Sequence, residues 1–301
     1  MTFFKKINDK PRAVLYMAIT AALWSLGGLL IKLVDSNPLA IAGTRSAIAS
    51  VVIFLYLGKP KFTWSPAQIG AALAYTGTVI LFVAANKMTT AANAILLQYT
   101  APVYVALLGA WLLKEKTKLY DWAAIILTIG GMALFFMDGL DMSGLLGNIY
   151  ALLSGISFAF FAVFMRMQKD GSPLESVLMG NILTAIIGLP FLFQAMPHAT
   201  GWLSLVILGV FQLGLPYIFY AKAVKHLTAL EVILIPVLEP ILNPIWVFFL
   251  LGEVPGALAL AGGAVVLVVI TAWCILPRFL KAKTKGEPVD PAIDSISGAN
   301  P

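Results

Sequence analysis

Ten stretches of mostly apolar residues, each 18 to 25 residues long, follow one another along the chain with short polar joints between them. Their approximate limits are 11–33, 38–57, 67–86, 91–113, 120–137, 145–166, 174–194, 201–221, 227–251 and 256–276. A helix of about 20 apolar residues crosses the hydrocarbon core of a bilayer, whereas a barrel strand needs about 10 residues of alternating polarity. The pattern predicts an all-α integral membrane protein with ten transmembrane helices. With 60% apolar and 11% charged residues and a mean hydropathy of +0.92, the composition lies far outside that of soluble globular domains.

The basic residues test that count, because cytoplasmic loops carry an excess of Lys and Arg. With the N-terminus inside, seventeen of the 20 cations fall at inner positions: Lys5, Lys6, Lys10, Arg12, Lys59, Lys61, Lys114, Lys116, Lys118, Arg166, Lys169, Lys222, Lys225, Arg278, Lys281, Lys283 and Lys285. Only Lys32, Arg45 and Lys87 fall in outer halves or outer loops. A wrong number of spans would scatter this pattern, so both termini are expected in the cytoplasm, in a bacterial-type inner membrane. The net charge of +6 then reflects topology and calls for no nucleic-acid partner. The first apolar segment lacks a small-x-small cleavage site before Lys32 and reads as a span. Cys274 is the only cysteine, so neither an intrachain disulfide nor a thiolate cluster is expected. His198 and His226 are too far apart in the topology to share a metal, and no Ser/His/Asp set, HExxH run or phosphate-cradling loop occurs. No cofactor, metal or enzymatic activity is expected, and an intramembrane enzyme is the remote alternative.

Glu239 sits near the middle of the ninth apolar stretch. An acidic side chain at a bilayer centre costs roughly 2.5–3.5 kcal/mol, so such a residue faces a cavity, a partner or a transported ion. Pro236, Pro240 and Pro244 surround it at intervals of four. Each lacks the N–H that would bond the carbonyl four residues earlier, which frees the carbonyls of Val232, Pro236 and Pro240. A carboxylate beside freed carbonyls marks a cation or proton site.

Sliding the chain by 138 residues lays Thr90 to Glu115 over Thr228 to Glu253 without a gap. Thr90/Thr228, Leu96/Leu234, Pro102/Pro240 and Glu115/Glu253 coincide, while Ala101 stands where the second copy has Glu239. An odd number of spans separates equivalent helices, so they cross the membrane in opposite directions. Inverted repeats of this kind are characteristic of secondary transporters, whose substrate site lies near the midplane between the halves.

The paired stretches "LLQYTAPVYVALLGAWLLKE" and "ILIPVLEPILNPIWVFFLLGE", the opening "AALWSLGGLLIK" and Arg45 early in the second span resemble the drug/metabolite transporter superfamily, in its ten-span EamA-type members. The resemblance covers residues about 13 to 276. It implies two five-helix bundles around a central cavity and export of amino acids, metabolites or toxic compounds. The expected organisation is a cytoplasmic N-terminus (1–12), two repeats (13–138 and 145–276) and a disordered cytoplasmic tail (277–301).

Glu239 is the candidate for proton or cation coupling, and Arg45 is a candidate ion-pair partner or substrate-carboxylate anchor that also has the reach to snorkel toward the outer surface. Trp24, at mid-depth in the first span, has Phe158 close to the corresponding position in the sixth, and these rings join Tyr75, Gln98, Tyr217 and Tyr220 as candidate substrate contacts. Gln212, Pro216 and Tyr220 form a polar stripe better explained by a cavity than by lipid. Pro102, Pro236, Pro240 and Pro244 are candidate helix breaks. Trp64, Trp111, Trp122, Trp202 and Trp273 read as an interfacial aromatic belt. Gly27/Gly28, Gly130/Gly131 and Gly262/Gly263 permit close helix contact. The expected function is a proton-coupled exporter of a small amino acid, amine or related metabolite, working by alternating access. An uncoupled facilitator or importer in the same fold is the alternative. Its partners are the lipid bilayer, a small-molecule substrate and protons.

Overall fold

The structure is a computed structural model that describes residues 9–137, 144–194, 196–242 and 256–285, the last ten of these as backbone alone. Among the described residues the chain is helical with no strand. The helices are α1 (Asp9–Leu33), α2 (Pro38–Leu57), α3 (Pro66–Met88), α4 (Ala91–Leu113), α5 (Leu119–Phe135), α6 (Leu145–Met167), α7 (Pro173–Leu192), α8 (Ala199–Ala223), α9 (from Ala229, described to residue 242) and α10 (Ala257–Lys285). Eight segments are long and apolar enough to cross a membrane, α5 is shorter at 17 residues, and α9 runs beyond the described residues. Pro244, Glu253 and the end of the second repeated stretch lie outside the described residues.

Helix starts follow local chemistry. Asn37, Ser65, Thr90 and Thr228 each accept a hydrogen bond from the backbone of the following first turn. Proline opens α2, α3 and α7, where its missing N–H would have had no helical partner anyway. α10 continues to Lys285, past the expected span end at 276.

The packing has an inverted two-fold pattern in which each helix exchanges with the one five later. α3 packs on α6 and α7, and correspondingly α8 packs on α1 and α2. α2 with α7, α4 with α9 and α5 with α10 meet across the axis. Two of these contacts are built on reciprocal glycines. A Cβ on Gly43 would lie 2.6 Å from the Gly188 Cα, and one on Gly188 would lie 2.7 Å from the Gly43 Cα. Gly131 and Gly262 do the same for α5 and α10, where a Cβ on Gly262 would come within 2.5 Å of the Gly131 carbonyl. Without glycine these backbones cannot approach, and close approach is what holds helices together where lipid is as apolar as the side chains. Gly130, by contrast, faces open space.

Trp273 departs from the expected aromatic belt. It is buried, and its Nε1 donates to Asp121 Oδ1 at 2.8 Å between α10 and α5. Depth along a helix does not specify which way the helix is rotated, and this face of α10 turns inward. Trp64 and Trp111 are exposed.

Candidate substrate and proton site

Four helices lose regular geometry at or beside residues that line one cavity. α1 is interrupted at Ser25–Leu26, just after Trp24. α4 is interrupted at Tyr99–Thr100, between Gln98 and Pro102. α8 widens to a π-helix over Leu208–Gly214, and α9 tightens to a 3₁₀ turn over Ile235–Val237 at Pro236. Such irregular turns re-aim side chains and recur at functional sites. A cavity opens beside them, lined by Trp24, Arg45, Gln98, Phe158, Tyr217 and Glu239, with Thr78, Val79, Phe82 and Gln212 completing its wall. Its volume is about 40 Å³, room for about three or four waters at about 10–15 Å³ each.

Of the six candidate substrate contacts, Trp24, Gln98, Phe158 and Tyr217 line the cavity. Tyr75 and Tyr220 stand behind them. Tyr75 meets Tyr217 edge-on at 4.9 Å and donates to Asn181 Oδ1 at 3.0 Å. Tyr220 lies 6.0 Å from Trp24 and 5.5 Å from Phe161. Ring pairs of this kind contribute about 0.5–1.5 kcal/mol each beyond burial. Gln98 Nε2 donates to Ser154 Oγ at 2.9 Å, and that hydroxyl donates to the Thr78 carbonyl at 3.0 Å.

Glu239 meets a residue that sequence reasoning missed. Tyr99 Oη lies 2.7 Å from Glu239 Oε2 and 2.9 Å from the Pro236 carbonyl. Pro236 is the residue four before Pro240, so its carbonyl lacks the ordinary helical N–H. A phenol has one hydrogen for these two acceptors. When Glu239 is ionised, Tyr99 donates to the carboxylate. When Glu239 carries a proton, its O–H donates to Tyr99 Oη, and Tyr99 donates onward to Pro236. The two acceptors on α9 thus compete for one phenolic hydrogen from α4.

Arg45 does not snorkel. It is 1% exposed, held inside the bundle by α7 and α8, which pack on α2. Its Nη1 donates to Gln212 Oε1 at 3.0 Å.

Both ends of the bundle are tied by equivalent contacts. At the end away from the N-terminus, Asn93 Nδ2 donates to Asn148 Oδ1 at 2.9 Å, and Asn93 N bonds the capping Thr90 hydroxyl at 3.1 Å. At the N-terminal end, Glu231 pairs with Lys10, and Glu231 N bonds the capping Thr228 hydroxyl at 3.2 Å. Lys10 and Asn148 are 138 residues apart, as are Asn93 and Glu231. The same two positions therefore meet in both halves, as an amide pair at one end and an ion pair at the other. Farther along, Arg166 joins Glu115 at 2.9 Å and the Val224 carbonyl at 3.1 Å, while Glu115 accepts from Ala229 N at 3.0 Å. At the other end Lys32 Nζ reaches the Thr89 carbonyl at 3.5 Å.

The ion pair ties α1 to α9 at the N-terminal end. Its lysine side chain is 55% exposed, which limits its contribution to about 0.2–1 kcal/mol. Lys10→Gln is expected to raise opening of that end by up to about fivefold, read as the maleimide labelling rate of Val79→Cys in a background with Cys274→Ala. Copying the ion pair to the other end, with Asn93→Glu and Asn148→Lys together, should slow labelling from that side. Equal rates in all variants would show that these contacts do not bias closure.

The comparisons with known proteins fit this architecture. A solved crystal structure superposes with a TM-score of 0.77 at 18% identity, over 89% of this chain and 98% of its own, which shows the fold. An uncharacterized transporter of Archaeoglobus fulgidus is 25% identical over 91% of this chain and 99% of its own length. The pseudopaline exporter CntI of Pseudomonas aeruginosa is 24% identical over 74% of this chain and 81% of its own. The sequence model of the EamA-like transporter family matches twice, over residues 11–137 and 145–275, and this multi-pass membrane protein belongs to that family, within the drug/metabolite transporter superfamily.

Proposed function

We propose that the protein is a secondary active transporter that exports a small amino acid, amine or related metabolite in exchange for protons. Its two repeats, 13–138 and 145–276, rock about the central cavity in a bacterial-type inner membrane with both termini cytoplasmic. The observation that carries this reading is the Glu239–Tyr99–Pro236 arrangement on the cavity wall. Ionised Glu239 attracts a substrate ammonium into the aromatic box formed by Trp24, Phe158 and Tyr217, whose ring faces also favour a cation. A proton arriving at Glu239 neutralises that attraction, turns the carboxyl toward Tyr99 as a donor and releases the substrate. Each displaces the other, which is the requirement for exchange. The name of the Pseudomonas aeruginosa relative, an exporter, supports the direction. An uncoupled facilitator is the second reading, favoured by Ala101 standing at the position equivalent to Glu239.

The test is purified protein in liposomes containing a pH dye, with amino acids and amines added one at a time and labelled solute followed in parallel. Proton movement that tracks solute movement supports exchange. Solute movement without proton movement favours the facilitator. Tyr99→Phe is expected to slow coupled exchange about 5- to 30-fold, the effect of removing one hydrogen bond of about 1–2 kcal/mol from the switch. It should leave solute binding nearly unchanged by calorimetry. A Tyr99→Phe protein with wild-type exchange would remove the phenol from the mechanism.

A further inference from the structure

We infer that the ends of α1, α2, α7 and α8 on the side of the N-terminus form a docking site for an anionic phospholipid, with Lys222 and Lys225 holding its phosphate. Two cavities of about 300 Å³ each open there. One lies between α1 and α8, lined by Arg12, Ala13 and Tyr16 with Lys222, Lys225 and His226. The other lies between α2, α7 and α8, lined by Tyr56, Leu57, Leu174 and Ile218 with the same two lysines. The cavities share this pair of ammonium groups and no other residue.

The pair is held in place without being neutralised. Lys222 Nζ lies 5.9 Å from the Tyr16 ring and 5.1 Å from the Tyr56 ring, within the range where a ring face attracts a cation. Ring faces leave the three N–H donors of the ammonium available for an anion. Among the described residues neither Lys222 nor Lys225 pairs with a carboxylate. Of the two acids on the cavity walls, Asp9 is paired with Arg12. Glu175 stands in the first turn of α7, where a helix N-terminus favours it. Nor are the lysines needed to cap α8, because Arg166 reaches the carbonyls of Val224 and Lys225 at 3.1 and 3.4 Å.

The second cavity runs from charge to hydrocarbon. Leu57, Leu174 and Ile218 lie beside the ammonium groups, and in the turn of α2 before Tyr56 the side chains of Val51, Phe54 and Leu55 are exposed, a face that meets acyl chains. A phospholipid has the same order, phosphate at the surface and acyl chains below, whereas a soluble anion would use the cations and leave the apolar wall wet. Cationic pockets at the ends of membrane helices recognise anionic headgroups in this way. The orienting excess of Lys and Arg on one side of a membrane protein explains neither the placement of one pair on two cavity walls nor the rings that fix it. Lys59 and Lys61, at the same end, line neither cavity.

The experiment is native mass spectrometry of the full chain in detergent, titrated with phosphatidylglycerol or with phosphatidylcholine of the same acyl chains. Each cation near a lipid surface contributes about fivefold in affinity, so phosphatidylglycerol is expected to bind about 5- to 25-fold more tightly than phosphatidylcholine. Lys222→Gln with Lys225→Gln should lower phosphatidylglycerol affinity about 25-fold. Lys222→Arg with Lys225→Arg should preserve it. Lys59→Gln with Lys61→Gln, which removes the same charge at the same end, should leave it unchanged. Glycerol 3-phosphate at the concentration of the lipid should not displace it. Equal binding of the two lipids by the wild-type protein, or equal losses in the two Gln pairs, would overturn the docking site. Displacement by glycerol 3-phosphate would overturn it too, and would assign the lysines to a soluble anion. Melting in lipid-free detergent shows whether the Lys222/Lys225 Gln pair folds. If it does not, the lipid preference of the wild type and its retention in the Arg pair decide.

Discussion

Glu239→Gln is expected to reduce substrate-driven proton movement to the level of protein-free liposomes while the protein remains folded. The amide has the size and shape of the protonated acid. It can donate to Tyr99 Oη, now 2.7 Å from Glu239 Oε2, while Tyr99 donates to the Pro236 carbonyl at 2.9 Å. The variant therefore holds the protonated arrangement permanently and has no proton to give up. Because the substitution keeps volume and every partner, the change in stability should stay below about 1.5 kcal/mol. Substrate ammonium binding should weaken at least about tenfold, the consequence of losing about 1.4 kcal/mol or more of charge attraction in a cavity sheltered from water. The measurement is the pH dye response on adding substrate, wild type beside variant, with melting temperature as the control for folding. An undiminished pH response in Glu239→Gln would eliminate the residue as the coupling group. A lost response with labelled substrate still crossing would show that proton and substrate pathways had been separated at this position.

Glu239 was legible because a charge at the middle of an apolar stretch stands out, and the proline spacing beside it points to freed carbonyls without any knowledge of packing. Tyr99 was not. A tyrosine within an apolar helix looks the same whether it packs or bonds, and its role depends on α4 crossing α9 at Pro236. Arg45 lies near a helix end in the sequence, which reads as access to the surface. The structure buries it because α7 and α8 flank α2, a fact of rotation and neighbours that residue counting does not carry. The same limitation affected Trp273 and the tyrosines, since Tyr75 and Tyr220 lie at suitable depth but behind Tyr217 and Trp24. The number and order of helices follow from hydropathy and from caps and prolines in the joints, all of which are local. The symmetry is written in the 138-residue offset, although which pairs it brings together, Lys10 with Glu231 and Asn148 with Asn93, required three dimensions.

Gly188→Val is expected to cause the largest loss of stability of any substitution considered for this chain. A Cβ at Gly188 would lie 2.2 Å from the Leu39 carbonyl and 2.7 Å from the Gly43 nitrogen. Those are backbone atoms, so no rotamer change relieves the contact and α2 must move away from α7. Overpacking of side chains costs about 1–3 kcal/mol, more where backbone must shift. In a bilayer the cost has an additional source, since helix association there depends on close backbone approach. Gly130→Ala is the matched control. Nothing lies within 4 Å of a Cβ at Gly130, so that change should be neutral or stabilising by up to about 1 kcal/mol through helix propensity. Melting curves in detergent should place Gly188→Val well below wild type and Gly130→Ala at or above it; equal curves for the two variants would contradict the close α2–α7 contact. The same displacement links fold to site. Arg45 lies on α2, two residues after Gly43, so a helix pushed off α7 carries the guanidinium away from Gln212. Any Gly188→Val protein that survives purification should therefore lose the Arg45–Gln212 contact while Tyr99 and Glu239, on α4 and α9 and outside the α2–α7 contact, keep theirs.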